Sequence, residues 1–194
     1  NGAVEVLDPA TSKRVIADLR RRGEMSKLLT PRWVMTDKND GLRTANRQLP
    51  LKANSRLVVP GYQDESAYGL RKDAPTGSRL SQHILFVLTA SNFLFGWRLH
   101  SADIKSAFMK GERYLEGARE IYLRNVGGPS DMPRLPFSDD CICKIVKGVF
   151  GLADAPRQWY LRLNRALLGR GWQRSPVDHA CWFLWKKDDP TSLH

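Results

Sequence analysis

Across 194 residues, 31 Lys and Arg stand against 20 Asp and Glu, giving a net charge of +11 with 42% hydrophobic residues. That balance fits a soluble globular chain able to bury a core, and its positive excess favours an anionic partner, of which nucleic acid is the usual one. Three cysteines exclude a disulfide framework, no signal peptide is visible, and the longest apolar run, from Ile84 to Ala90 and resuming at Phe93, is far short of the ~20 residues that cross a bilayer.

Asp8-Pro9 predicts a helix start by cap and first-turn chemistry. Val15, Ile16 and Leu19 give that helix an apolar face, and Arg20-Arg21-Arg22 with Gly23 give it an end. A short strand is predicted over Arg32–Asp37, a turn at Asn39-Asp40-Gly41 and a second strand over Arg56–Tyr62. Gln63–Gly77 reads as loop, Arg79–Phe93 as an amphipathic helix and Trp97–Asp103 as a strand.

Glu120–Arg124 predicts another strand, Gly127–Asp140 an irregular loop and Cys141–Val149 a strand. On that strand Cys141 and Cys143 would share one half-buried face. Their one-residue spacing is not that of a zinc site. Ala155–Leu168 is the clearest helix, with Asp154 as its cap, Pro156 in its first turn and Trp159 in its apolar stripe. Gln158, Arg162 and Arg165 fall on another of its faces. Ala180–Trp185 predicts a last strand, and Asp188-Asp189, between Lys186-Lys187 and Pro190, a solvated turn. Strands and helices in no strict alternation point to an α+β fold.

Two segments carry chemistry. HSADIKSAFMKGE, from His100 to Glu112, is an apolar approach to a carboxylate at Asp103. KIVKGVFGLADAPRQWY, from Lys144 to Tyr160, is a strand, a glycine turn and a helix start. Together, in this order, they closely resemble the reverse transcriptase of copia-type LTR retrotransposons, whose usual forms are near D-V-K-T-A-F-L-N-G and L-K-K-S-L-Y-G-L-K-Q-A-P-R-Q-W-Y. The likeness runs roughly from Arg32 to Leu184, specific at Ala102–Gly111 and Lys144–Tyr160 and loose elsewhere. It includes Arg56 in R-L-V, Asp73-Ala74-Pro75-Thr76 before the second helix, and Asp178 with Cys181 in D-H-A-C-W-F.

The resemblance implies a right-hand polymerase fold, with fingers over residues 1–96 and 113–153 and a partial palm over 97–112 and 154–194. It implies RNA-directed DNA synthesis, in which a template-bound primer 3′-hydroxyl attacks a deoxynucleoside triphosphate with the help of two Mg²⁺ ions. Asp103 would be a metal ligand and catalytic residue, with the Ile104 carbonyl beside it. Ser106 and Ala107 would offer backbone N–H groups to the triphosphate. Phe108 would pack under the incoming sugar and exclude a ribose 2′-hydroxyl. Gly151 would border the nucleotide, and Arg56 would hold triphosphate. The partners implied are an RNA or DNA template-primer and dNTP, with no membrane, in the cytoplasm, a virus-like particle or the nucleus.

Departures from the family pattern matter. Phe150 stands for the usual Tyr, Ala153-Asp154 for Lys-Gln, Asn54 for Lys and Pro60 for a frequent Arg. Asp154 would add an anion near a phosphate-rich site. The Y-V-D-D motif, thumb and RNase H region do not occur in these residues, so the segment is expected to be a fragment of a longer polyprotein, inactive alone. One alternative is a catalytically dead remnant that binds nucleic acid through its basic surface. Another is an interaction domain with no nucleic-acid role.

Overall fold

The carboxylate of Asp8 accepts a hydrogen bond from Thr11 N at 2.9 Å, and Pro9 then opens α1 (Pro9–Arg22). The helix ends where Gly23 takes φ 71°, a left-handed cap that glycine enters without a Cβ penalty. The molecule is a computed structural model that describes residues 2–43, 49–126, 133–186 and 189–193.

Behind α1 lies a four-stranded sheet. Its strands are β1 (Val4–Val6), β2 (Leu28–Leu29), β5 (Tyr122–Leu123) and β6 (Cys143–Ile145), in the order β1-β6-β5-β2. β6 runs antiparallel to both β1 and β5, and β2 pairs parallel to β5. Successive residues face opposite sides of such a sheet. Leu28, Tyr122 and Ile142 therefore turn toward Leu19 of α1 in one cluster. Leu29, Ile121, Leu123, Cys143 and Ile145 turn the other way, against Val59, Val149, Leu152 and Ala155. Ser12 stitches the α1 side: its hydroxyl donates to Leu7 O at 3.3 Å and accepts from Ile142 N at 3.1 Å. Cys141 and Cys143 are free and fully buried rather than half-buried. Burial, with Cys141 nearby, pushes the Cys143 thiol up to about 11.

Three smaller hairpins surround this centre. β3 (Arg32–Asp37) pairs with β4 (Ala53–Val58) from Arg32↔Val58 to Asp37↔Ala53. The second strand thus ends before Pro60 instead of reaching Tyr62, because Pro60-Gly61 starts a 3-10 turn, Gly61–Gln63. A further one, Glu65–Gly69, follows inside the predicted loop. β7 (Gln173–Arg174) pairs with β8 (Trp182–Phe183), and β9 (Trp185–Lys186) with β10 (Asp189–Leu193). Asp189 therefore opens a strand, not a turn, while Asp188 lies outside the described residues. Residues 127–132 of the predicted irregular loop also lie outside them.

α2 (Arg79–Ser91) begins as expected at the Ser78 cap, but not one of its residues is buried. Its Leu80, Ile84, Leu85, Phe86, Val87 and Leu88 are all exposed. The helix is held at its end instead. Asp178, a hundred residues on, accepts from Ser78 N at 2.8 Å and from the Ser81 hydroxyl at 2.6 Å through the same oxygen. Those three bonded partners (Ala180 N gives the third, at 2.9 Å) hold the Asp178 carboxyl well below its ordinary range, the Ser81 hydroxyl most of all.

The predicted strand Trp97–Asp103 does not form. Strand N–H and C=O groups need a neighbouring strand, and no described strand lies alongside this segment. Leu99 is 51% exposed and Ile104 42% exposed, so the apolar pattern that suggested a buried strand is spent on solvent-facing coil.

Candidate active site

Asp103 stands on that unpaired stretch, exposed, rather than on the end of a buried strand. Its carboxylate makes no hydrogen bond or ion pair among the described residues, so both oxygens are open to a ligand. No group of three or more His, Cys, Asp and Glu converges among those residues. A single free carboxylate beside the Ile104 carbonyl fits a hard cation such as Mg²⁺, which keeps several waters and takes substrate phosphates as further ligands. It supplies one carboxylate of such a site.

Three residues after Asp103, the chain turns sharply. Ser106 takes φ 55°, ψ 43°, the one left-handed non-glycine backbone among the described residues. A serine pays a steric cost in this region, so the turn is held by its surroundings. It directs the chain into a 3-10 helix, Ala107–Lys110, whose Phe108 and Met109 pack on the sheet core. Phe108 meets Phe150 edge-on, with ring centroids 5.5 Å apart and planes at 68°. The two segments singled out in the sequence, forty residues apart, thus touch at their aromatic residues.

A second seam continues this contact. Glu112 N donates to Gln158 O at 3.0 Å, and a Cβ on Gly111 would press the Gln158–Trp159 backbone of α3 (Ala155–Leu168). Ile104 and Met109 on one side, and Trp159 and Leu163 of α3 on the other, line a shared cavity. Trp159 is half-buried there, so it is both a packing residue and a cavity wall.

Gly151 is exposed and takes φ 101°. What demands a glycine here is the Val59 backbone, because a Cβ would collide with the Val59 carbonyl oxygen. Val59 N donates to Phe150 O at 2.9 Å, so the Gly151 turn is clipped to the end of β4. Arg56 is exposed on β4 opposite Val34, three residues before that clip. The fold therefore brings Phe108, Phe150 and Gly151 together and attaches the strand of Arg56 to them. Asp103 and Ile104 sit at the open edge.

Asp154 departs from the sequence expectation twice. Its side chain does not cap α3 and is not turned to solvent. It is buried against Arg119, whose Nη2 reaches Asp154 Oδ1 at 3.2 Å and Asp64 Oδ2 at 2.6 Å, while Nη1 reaches the Ser66 hydroxyl at 2.6 Å. The added anion is thus met by an internal cation and does not face a phosphate-rich cleft. The carboxylates of Asp154 and Asp64, with hydrogen bonds between them and the guanidinium, hold the charge on Arg119 against the opposing effect of burial. Burial first, then Asp154, pushes the Tyr114 phenol far above its usual range.

Asp64 and Arg119 carry no sequence signal of this role. They belong to segments that read as loop and strand edge, and only the fold joins them. Arg157, one of the motif residues, also serves the framework: its Nη1 donates to Asp73 O at 2.9 Å, tying α3 to the turn before α2.

A family model described as Reverse transcriptase (RNA-dependent DNA polymerase) matches residues 18–189. The chain is 27% identical over 154 residues to a Retrovirus-related Pol polyprotein from transposon RE2 of Arabidopsis thaliana, covering 79% of this chain and 10% of that protein. It is 26% identical to the RE1 counterpart of the same plant, covering 79% of this chain and 9% of that protein. It is 27% identical over 158 residues to the Retrovirus-related Pol polyprotein from transposon TNT 1-94 of Nicotiana tabacum, covering 78% of this chain and 10% of that protein. The chain spans about a tenth of the length of the curated relatives it matches. No solved structure matches.

Proposed function

The chain belongs to the reverse transcriptase (RNA-dependent DNA polymerase) family, and on that premise we propose that it forms the nucleotide-binding front of an RNA-directed DNA polymerase within a copia-type polyprotein. Residues 1–96 and 113–153 would be mostly fingers, and 97–112 and 154–194 the beginning of the palm, in a right-hand arrangement. The observation that carries the reading is the Phe108–Phe150 contact, which joins the carboxylate segment to the glycine turn.

In the reaction proposed, the primer 3′-oxygen forms a bond to the α-phosphorus of a dNTP. The bond from that phosphorus to the bridging oxygen breaks, and pyrophosphate leaves. Asp103 and the Ile104 carbonyl would hold Mg²⁺, which when bound lowers the pKa of the attacking hydroxyl and neutralises triphosphate charge. The chain's own part is positional. The Ser106 turn would set backbone N–H groups toward phosphate, and Phe108, braced by Phe150, would offer a firm surface under the sugar. Gly151 would leave room at the nucleotide edge, and Arg56 would approach the triphosphate from the β4 hairpin.

Asp103 and the Ile104 carbonyl supply only part of a two-ion site, and no group of three or more His, Cys, Asp and Glu converges among the described residues, so the 194 residues by themselves are expected to bind template-primer rather than extend it. The test is primer extension by a longer segment of the polyprotein, with Asp103→Asn as the partner experiment. The reading predicts extension that Asp103→Asn abolishes while the melting temperature stays put, because Asp103 is exposed and unpartnered. Extension that persists in Asp103→Asn would sink it. Strand binding with no extension by the longer segment would instead mark a remnant that only binds.

A further inference from the structure

Against the outer side of the Phe108 helix lies the cavity of about 830 Å³ that Ile104 and Trp159 help to line. Four cations also line it: Lys110 from the 3-10 helix, Arg113 just beyond, Lys147 after β6 and Arg162 on α3. Arg113 is held by Glu5. Lys110, Lys147 and Arg162 have no acidic partner among the described residues. The single acid in the lining, Glu112, is already taken by Arg165 at 3.0 Å through Oε2.

A cavity of this size with three uncompensated cations favours an extended polyanion over one phosphate ion, since those charges come from three separate stretches of chain. One feature adds a base to that description. Trp159 offers an indole wall, and aromatic walls in basic grooves stack bases regardless of sequence.

We propose that this cavity seats the sugar-phosphate backbone of a single nucleic-acid strand, with Lys110, Lys147 and Arg162 on its phosphates and one base against Trp159. The proposal deepens the polymerase reading and rests on it for the identity of the ligand. Its test needs neither dNTP nor Mg²⁺, so loss of polymerase activity and loss of this site give different results.

The experiment is fluorescence anisotropy with a labelled oligothymidylate of about 15 nucleotides, across a series of salt concentrations. Two double variants are compared. One reverses cavity charges (Lys147→Glu with Arg162→Glu). The other makes the same charge change on α1 (Arg14→Glu with Arg21→Glu), none of whose residues lines the cavity. The cavity pair should weaken binding by about tenfold near 0.1 M salt and lower the steepness of the log–log salt plot by roughly 1.4, the amount for two single-strand phosphate contacts. The α1 pair should change the affinity by less than about twofold. If the reversal pair does not fold, judged by circular dichroism, Lys147→Gln with Arg162→Gln is measured instead, with a loss of about threefold and the same drop in slope expected.

Oligothymidylate should also quench tryptophan emission in the unsubstituted protein and do so much less in Trp159→Phe. Equal weakening by the cavity and α1 pairs would mean that binding follows net charge alone, and would overturn the site. So would an unchanged affinity in the cavity pair. Pyrophosphate that displaces the oligonucleotide and binds as tightly itself would also overturn it, by making the cavity a point-anion site.

Discussion

Nη2 of Arg119 lies 2.6 Å from Oδ2 of Asp64, with both side chains almost wholly withdrawn from water, at 2% and 1% exposure. Asp154 completes the group at 3.2 Å from the same nitrogen. Two buried carboxylates on one guanidinium leave no tolerance for losing the cation. Arg119→Met should destabilise the protein by about 3–5 kcal/mol, because it strands two buried anions. Replacing all three with Arg119→Met, Asp64→Asn and Asp154→Asn should recover most of that loss. Urea unfolding of the single and triple variants measures both. A single-variant cost under about 1 kcal/mol would show that the network is not closed to water.

The Gly151 turn is fixed by backbone rather than by side chains. With φ at 101° and the Val59 carbonyl against its α-carbon, Gly151→Ala must move β4 or the turn. A cost of about 2 kcal/mol or more is expected, above the usual penalty of a left-handed alanine. Gly2→Ala is the control, also at positive φ but with open space around it, and should cost about 1 kcal/mol. Thermal unfolding of the two variants separates crowding from conformation, and equal costs would remove the role given to Val59.

Phe108 is both a core residue and the proposed sugar gate, and the two roles predict different outcomes for two substitutions. Phe108→Ala should cost about 3 kcal/mol through lost packing on Phe150 and the sheet core. Phe108→Leu keeps most of the volume and should cost under about 1.5 kcal/mol. In extension assays with the longer polyprotein segment, the leucine variant should gain ribonucleotide incorporation relative to deoxyribonucleotide. Unchanged discrimination in a folded leucine variant would leave Phe108 as packing alone.

Much of this frame was legible in the sequence, and the misses share one cause. α1, β3, α2 and α3 were readable because their signals are local: a capping aspartate, a short run closed by a turn signal, a helical stripe. The strand drawn over Trp97–Asp103 was not, because a strand exists only with a partner and the sequence names none. Asp154 was legible as a departure but not as a buried ion, since its partners lie 35 and 90 positions away, at Arg119 and Asp64. Phe108 and Phe150 could be picked out singly, and the contact between them belongs to the fold.

Acid should loosen the α1 side of the sheet first. Glu120 is bonded by Arg22 at 2.9 Å and Lys27 at 3.0 Å, and the Arg22 hydrogen bond above all pulls its carboxyl down to about 2. A carboxyl depressed on folding stabilises the protein at every pH above its unfolded value, near 4.5, and that stabilisation fades as pH falls toward 2. Glu120→Gln should therefore lower the melting temperature at pH about 6 and make no difference at pH about 2. A constant offset between the two proteins over that range would mean that Glu120 acts through packing and not through charge.

α2 owes its place to its end, not to its faces. A helix of 13 residues with none buried has little packing to hold it, and isolated helices of that length are marginal in water. What remains is the Ser78 cap and the Asp178 carboxylate that binds Ser78 N and Ser81 Oγ together. Asp178→Ala removes the link from the β7–β8 hairpin while leaving the helix sequence untouched. Hydrogen exchange should then speed up by tenfold or more across Arg79–Ser91, for about 1.4 kcal/mol of local opening, with amides of α3 unchanged. The same loss in α3 would mean that Asp178 supports the whole molecule, and no change in α2 would mean that the Ser78 cap alone suffices.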